Sequence, residues 1–207
     1  MSHGQNGTET PESRVRTRLQ RPAAVAVPPG RIQYIIWSVI FGTALALGGS
    51  ALEPFPIPLM NITAASPWVA LLITLNKVVV RRRWSVASMY AVAGTIAIFT
   101  TYLGPPTILK PLYIIAGAVF DLATRKKITQ GRLILGHLWI TLVGFAIFWL
   151  IFVIMVPGSA KVILTAVAVA APFHFGISAI IASFVFKIVP EDNKFVRRVQ
   201  SYLREEA

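Results

Sequence analysis

Residues 125–156 read RKKITQGRLILGHLWITLVGFAIFWLIFVIMV, and from 133 to 156 the run contains no Asp, Glu, Lys or Arg. It meets the ~20 apolar residues an α-helix needs to cross a ~30 Å hydrocarbon core. Directly before it stand Arg125, Lys126, Lys127 and Arg132. Membrane proteins retain such cations on the cytoplasmic side, most reliably in short loops. This one stretch therefore predicts both a membrane span and its direction.

Five further apolar stretches flank it, at 33–51, 66–80, 84–103, 107–124 and 162–189. The stretches at 66–80 and 107–124 are short, and the first reaches across if Lys77 snorkels from its stem to the cytoplasmic headgroups. No strand alternation or fixed repeat interrupts them, and unpaired backbone is costly in lipid, so all six are expected to be helices. The fold class expected is an all-α integral membrane protein, a six-transmembrane-helix bundle.

The remaining charges agree with six spans. Arg14, Arg16, Arg18, Arg21 and Arg31 precede the first stretch. Lys77, Arg81, Arg82 and Arg83 lie at the second connection, and Lys187, Lys194, Arg197, Arg198 and Arg204 follow the last. With the cluster at 125–132 these fall on alternate sides of the spans, which places the N- and C-termini in the cytoplasm. Only Lys110 and Lys161 fall on the other side. Removing or merging one span would put a basic cluster on the wrong face.

Composition narrows the function. The chain has 207 residues, 55% hydrophobic and 14% charged, against about 25% charged in ordinary soluble domains. The net charge of +12 sits beside helix ends without a basic, aromatic-interleaved helix, so anionic lipids are the expected counter-charge and nucleic acid is not. Absence of cysteine excludes disulfides and thiol catalysis. About 30 polar and Pro-rich residues precede the first apolar run, so no cleavable signal peptide is expected. The expected organisation is a disordered basic cytoplasmic tail at 1–31, a membrane domain at 32–190 and a short amphipathic cytoplasmic helix at 191–207. That last helix would place Phe195, Val199, Tyr202 and Leu203 on one face and lie along the interface.

Outer and inner connections differ. The first outer one, 52–65, reads LEPFPIPLMNITAA, and its prolines at 54, 56 and 58 predict a stiff strap over the outer mouth. The next also holds prolines, Pro105 and Pro106, with Pro111 one turn into the following helix. Around these loops stand Glu53, Asn61, Trp68, Thr107, Lys110 and Tyr113, joined by Trp149 in the outer half of the fifth helix. Aromatic walls with a few polar groups are the usual lining of a small-molecule pocket, although Trp and Tyr also populate interfacial belts. Lys110, a cation on the outer side, would pair with Glu53 structurally or with a ligand carboxylate or phosphate.

Inside the spans ionisable groups are few. Asp121 stands four residues before Arg125, which permits an i,i+4 ion pair at the interface or a coupling role. His174 sits between Pro172 and Gly176, where a loosened helix lets an imidazole face a cavity or pack as a hydrogen-bonded core group. His137 is expected at the interface. No metal-ligand spacing, Ser-His-Asp set, phosphate-cradling loop or dense carboxylate cluster is present, so neither a metal site, a cofactor nor an enzyme is expected. Ser38, Gly42, Ala46 and Ser50 recur every four residues on the first helix. Small residues so spaced let a second helix approach closely, within the chain or on a separate subunit.

With these features the chain resembles the substrate-binding S component of energy-coupling factor transporters over about residues 33–189. The resemblance rests on six helices with both ends inside, the Ser38/Gly42/Ala46/Ser50 face, the Pro-rich first outer loop and the run PPTILKPLYIIAGAVFD at 105–121. It implies capture of a vitamin-like micronutrient at the outer mouth, without catalysis by this chain. It also implies partner ATPase subunits, and docking of a transmembrane coupling subunit on the small-residue face. A membrane scaffold or assembly protein is the alternative, and a membrane-embedded lipid-modifying enzyme a further one.

Overall fold

A computed structural model describes residues 29–52, 58–100, 105–125, 127–156, 158–189 and 193–204. Among them every regular element is helical. The helices are α1 (Pro29–Leu52), α2 (Pro58–Val80), α3 (Ser85–Thr100), a 3-10 helix (Pro105–Tyr113), α4 (Ile114–Ala123), α5 (Gln130–Met155), α6 (Ala160–Ile188) and α7 (Lys194–Arg204). Three segments are long and apolar enough to cross a membrane, Arg31–Gly48, Gln130–Met155 and Ala160–Ile188, with shorter apolar helices at Ala65–Val80 and Ser85–Phe99.

Proline positions explain where the structure departs from the sequence expectation. The strap expected over 52–65 is helical from Pro58 onward. Proline at a first helical position forfeits no hydrogen bond, because that N–H has no intrahelical partner. Pro29, Pro58 and Pro105 thus open elements rather than only breaking them. Within 105–121 the opposite holds: Pro111 cannot donate and crowds the preceding turn, and the single helix expected over 107–124 divides into the 3-10 helix and the short α4. At the other end of α2 no glycine ends the helix. Arg81 takes the left-handed conformation, φ 53°, and its N–H bonds the Lys77 carbonyl at 3.2 Å.

The helices close into a ring in the spatial order α1, α3, α4, α5, α6, α2, with α2 returning to α1. Small residues set the closest approaches. A Cβ on Gly42 would stand 2.8 Å from the Met89 carbonyl oxygen and 2.6 Å from Val92 Cβ, so α1 and α3 touch there backbone to backbone. On Gly117 it would meet Ala87 Cα and the Val86 carbonyl oxygen at 3.0 Å, which draws α4 against α3. Outward faces carry the apolar surface instead, with Val162, Val169 and Ile180 each at least 70% exposed on α6. An apolar perimeter around a packed interior suits helices bathed in lipid.

The expected C-terminal helix is present but differently used. Asn193 Oδ1 accepts the Phe195 N–H at 2.9 Å and starts α7. Val196 and Val199 are buried and α7 packs on α1 and α2, so its apolar face is committed to the bundle. Phe195 lies on that same side and meets Trp37 of α1 edge-on, although much of its ring stays exposed, and the side chains of Tyr202 and Leu203 lie outside the described residues.

Candidate ligand cavity

A cavity of about 300 Å³ opens inside the ring. Every helix of the ring contributes: Leu45 and Ala46 from α1, Val69 and Ile73 from α2, Tyr90 and Gly94 from α3, Lys110 and Tyr113 from the 3-10 helix, Ala116 from α4, Thr141, Gly144, Phe145 and Phe148 from α5, and His174 from α6. The space exists because facing positions are small: Ala46, Ala65, Ala93, Gly94, Ala97, Ala116 and Gly144 all border it. It occupies the middle of the bundle and the end remote from Arg81–Arg83 and Arg125–Arg132, since the lining positions lie along the corresponding half of each helix.

The walls are mostly apolar, with five convergent polar side chains. Among the described residues that line it, Lys110 supplies the one cation and Tyr90, Tyr113, Thr141 and His174 the remaining polar groups. Thr141 already donates to the His137 carbonyl at 2.7 Å, which leaves its oxygen as an acceptor. His174 Nδ1 contacts the Ser66 hydroxyl, joining α6 to α2, and its ring meets Phe145 edge-on with centroids 5.7 Å apart. Such a lining suits a small, largely apolar or aromatic molecule bearing an acidic group, with its polar contacts few and directional.

A polar floor closes the cavity toward the basic end. The Thr74 hydroxyl donates to the Ala70 carbonyl at 2.8 Å and stands 2.9 Å from His137 Nε2. Having one proton, Thr74 then accepts from His137 Nε2–H. His137, expected at the interface, is fully buried between Thr74 and the edge of Phe120, whose centroid is 5.1 Å away. One helical turn further, Lys77 Nζ lies 2.6 Å from Asp121 Oδ1 and 3.0 Å from the Arg82 carbonyl. Asp121 Oδ2 accepts the N–H groups of Val86 and Ala87, both at 2.9 Å, and so caps the first turn of α3. Asp121 therefore pairs with Lys77 across helices rather than with Arg125 along its own. Lys77 is buried rather than snorkelled, because a carboxylate and a carbonyl satisfy its ammonium within the protein.

Of the site residues named from the sequence, Lys110, Tyr113 and His174 come together in the cavity. Trp68 and Trp149 do not line it. Trp68 Nε1 donates to the Ala44 carbonyl at 3.0 Å and clasps α2 to α1, while Trp149 Nε1 donates to the Ala160 carbonyl at 3.2 Å across the α5–α6 turn. Glu53 lies outside the described residues, as do the side chains of Asn61, Thr107 and Ser50. The proposed docking face turns inward: Ser38 is buried with its hydroxyl 2.9 Å from Ser88 Oγ, Gly42 abuts α3, and Ala46 borders the cavity. A separate subunit reaches none of these three without displacing α3. Sequence reasoning missed Tyr90 and Thr141; the signal available was the small-residue run of α3 facing Gly144.

No family model matches the chain, and no curated protein or solved structure matches it. The cavity itself therefore carries the functional argument.

Proposed function

We propose that the chain is a multi-pass protein of the cell membrane, with six spans and both ends in the cytoplasm, that binds a small molecule in the cavity from the outer side. It would serve as the substrate-specificity subunit of an energy-coupling factor-type uptake system, with a transmembrane coupling subunit and ATPase subunits as partners. The single observation behind this reading is the cavity at the end remote from the basic clusters, bordered by every helix of the ring. Retention of Arg81–Arg83 and Arg125–Arg132 in the cytoplasm turns that end outward. Binding without catalysis then asks only for apolar walls and a few fixed polar groups.

The inward-turned Ser38/Gly42/Ala46 face bears on the partners. A coupling subunit would have to meet another surface, such as the apolar outer faces of α1 or α6. A scaffold protein is the second reading, favoured by that extensive exposed apolar perimeter. Mass spectrometry of small molecules retained by the gently purified full chain separates the two. The transport reading expects one compound, near stoichiometric and carrying an acidic group; retention of no compound from a nutrient-replete source supports the scaffold.

A further inference from the structure

A second, smaller cleft lies at the basic end, on the outside of the ring. It measures about 200 Å³ and is formed by Gln33 and Trp37 of α1 with Phe195, Arg198 and Val199 of α7. The spacings produce it: Gln33 and Trp37 lie one turn apart on α1, and Phe195, Arg198 and Val199 share one face of α7. Trp37 and Phe195 meet edge-on with centroids 6.0 Å apart, and Val199 is 7% exposed at the back of the cleft. Arg198 and Gln33 bring five guanidinium N–H donors and an amide to an otherwise apolar recess.

We propose that this cleft binds the phosphate of an anionic phospholipid. Three observations converge on that occupant. Arg198 is the only ionisable residue among the described residues of the lining, with Lys194 one turn before it and Arg197 adjacent on the same helix. A basic pocket formed between a span and a cationic amphipathic helix, at the cytoplasmic interface, is where anionic headgroups are held. The recess, about 200 Å³, is also too small to take in a lipid's acyl chains. The chains have a track of their own, because Ile32, Ile36 and Ile40 form an exposed ridge at i, i+4 spacing that leads from the cleft along α1. Headgroup contacts at the cleft and acyl contacts on that ridge would fasten α7 to the bundle and fix the depth of α1 in the bilayer. The proposal is independent of any ligand in the ring cavity.

The test uses the full chain reconstituted in vesicles of phosphatidylcholine with a minority of phosphatidylglycerol, followed by gentle extraction and native mass spectrometry. The unaltered chain should retain phosphatidylglycerol over phosphatidylcholine. Arg198→Gln should lower that retention about tenfold or more, the scale of a charge-assisted hydrogen bond to the phosphate, whereas Arg125→Gln, which removes an exposed cation at the same end but outside the cleft, should lower it far less. Trp37→Ala should lower it too, without a change in the helical circular dichroism. Equal retention by the Arg198 and Arg125 variants overturns the proposal, and so does equal retention of phosphatidylcholine. Displacement of the lipid by millimolar inorganic phosphate would likewise overturn it in favour of a free-anion site.

Discussion

Lys77 Nζ lies 2.6 Å from Asp121 Oδ1, and neither side chain is more than 3% exposed. The pair spans 44 residues of sequence and joins the end of α2 to the end of α4, while Asp121 Oδ2 holds the first turn of α3. The pair and the α3 turn it holds all stand close below the cavity: Ile73 precedes Lys77 by four residues, Ala116 precedes Asp121 by five, and Tyr90 follows Val86 by four. The ion pair thus fixes three of the cavity's walls at their basic ends.

Removing one charge strands the other in a dry interior. Asp121→Asn or Lys77→Met alone should each cost about 3–5 kcal/mol, read as a fall in thermal unfolding temperature in detergent. The double variant should recover much of that loss, because the introduced amide oxygen could still accept the α3 N–H groups while no lone charge remains. Losses that simply add in the double variant would show that the two groups act separately.

Gly42 offers a steric test of the ring. With Val92 Cβ and the Met89 carbonyl under 3 Å from any added Cβ, Gly42→Leu should destabilise the isolated protein by about 1–3 kcal/mol through overpacking. The effect should appear without any partner subunit. A Gly42→Leu protein that melts like its parent but fails to co-purify with other subunits would restore the outward docking face.

What the sequence made legible follows from how far each interaction reaches along the chain. Helices were legible because long apolar runs satisfy their backbone most readily as helices, and among the described residues the six expected stretches overlap helices or the divided 105–123 segment, three of them long and apolar enough to cross a membrane. Polar partners were not. Asp121 has a cation four residues away in Arg125, yet its partner is Lys77, since only the ring closure brings α2 and α4 together. The tryptophans misled for a similar reason: their composition suits a pocket, but Trp68 and Trp149 each spend the indole N–H on a neighbouring helix. A cavity is made by missing volume, so its signal lay in Ala93, Gly94, Ala97 and Gly144 rather than in the large residues.

Lys110 gives the ligand's charge a direct readout. Lys110→Gln keeps much of the length and hydrogen bonding but removes the cation that lines the cavity. Affinity for a carboxylate-bearing ligand should fall about tenfold or more, the scale of a charge-assisted hydrogen bond. A neutral analogue of the same molecule should bind the variant and the parent alike in equilibrium dialysis. Equal weakening of both would mean that Lys110 shapes the mouth sterically and leaves the ligand's charge unread.

Gly144 separates binding from stability. A Cβ placed there meets nothing closer than Tyr113 Cε1, at 3.9 Å, and the position borders the cavity at the middle of α5. Gly144→Leu should therefore grow into empty space. Replacing a mid-helix glycine lowers the backbone entropy cost by up to about 1 kcal/mol, and the added methyl groups fill part of the void, so the unfolding temperature should hold or rise. Small-molecule retention by mass spectrometry should fall to background, because the same volume cannot hold both a leucine and a ligand. Loss of stability would mean that the cavity is narrower than about 300 Å³ around Gly144; unchanged retention in a stable variant would move the ligand out of the ring altogether.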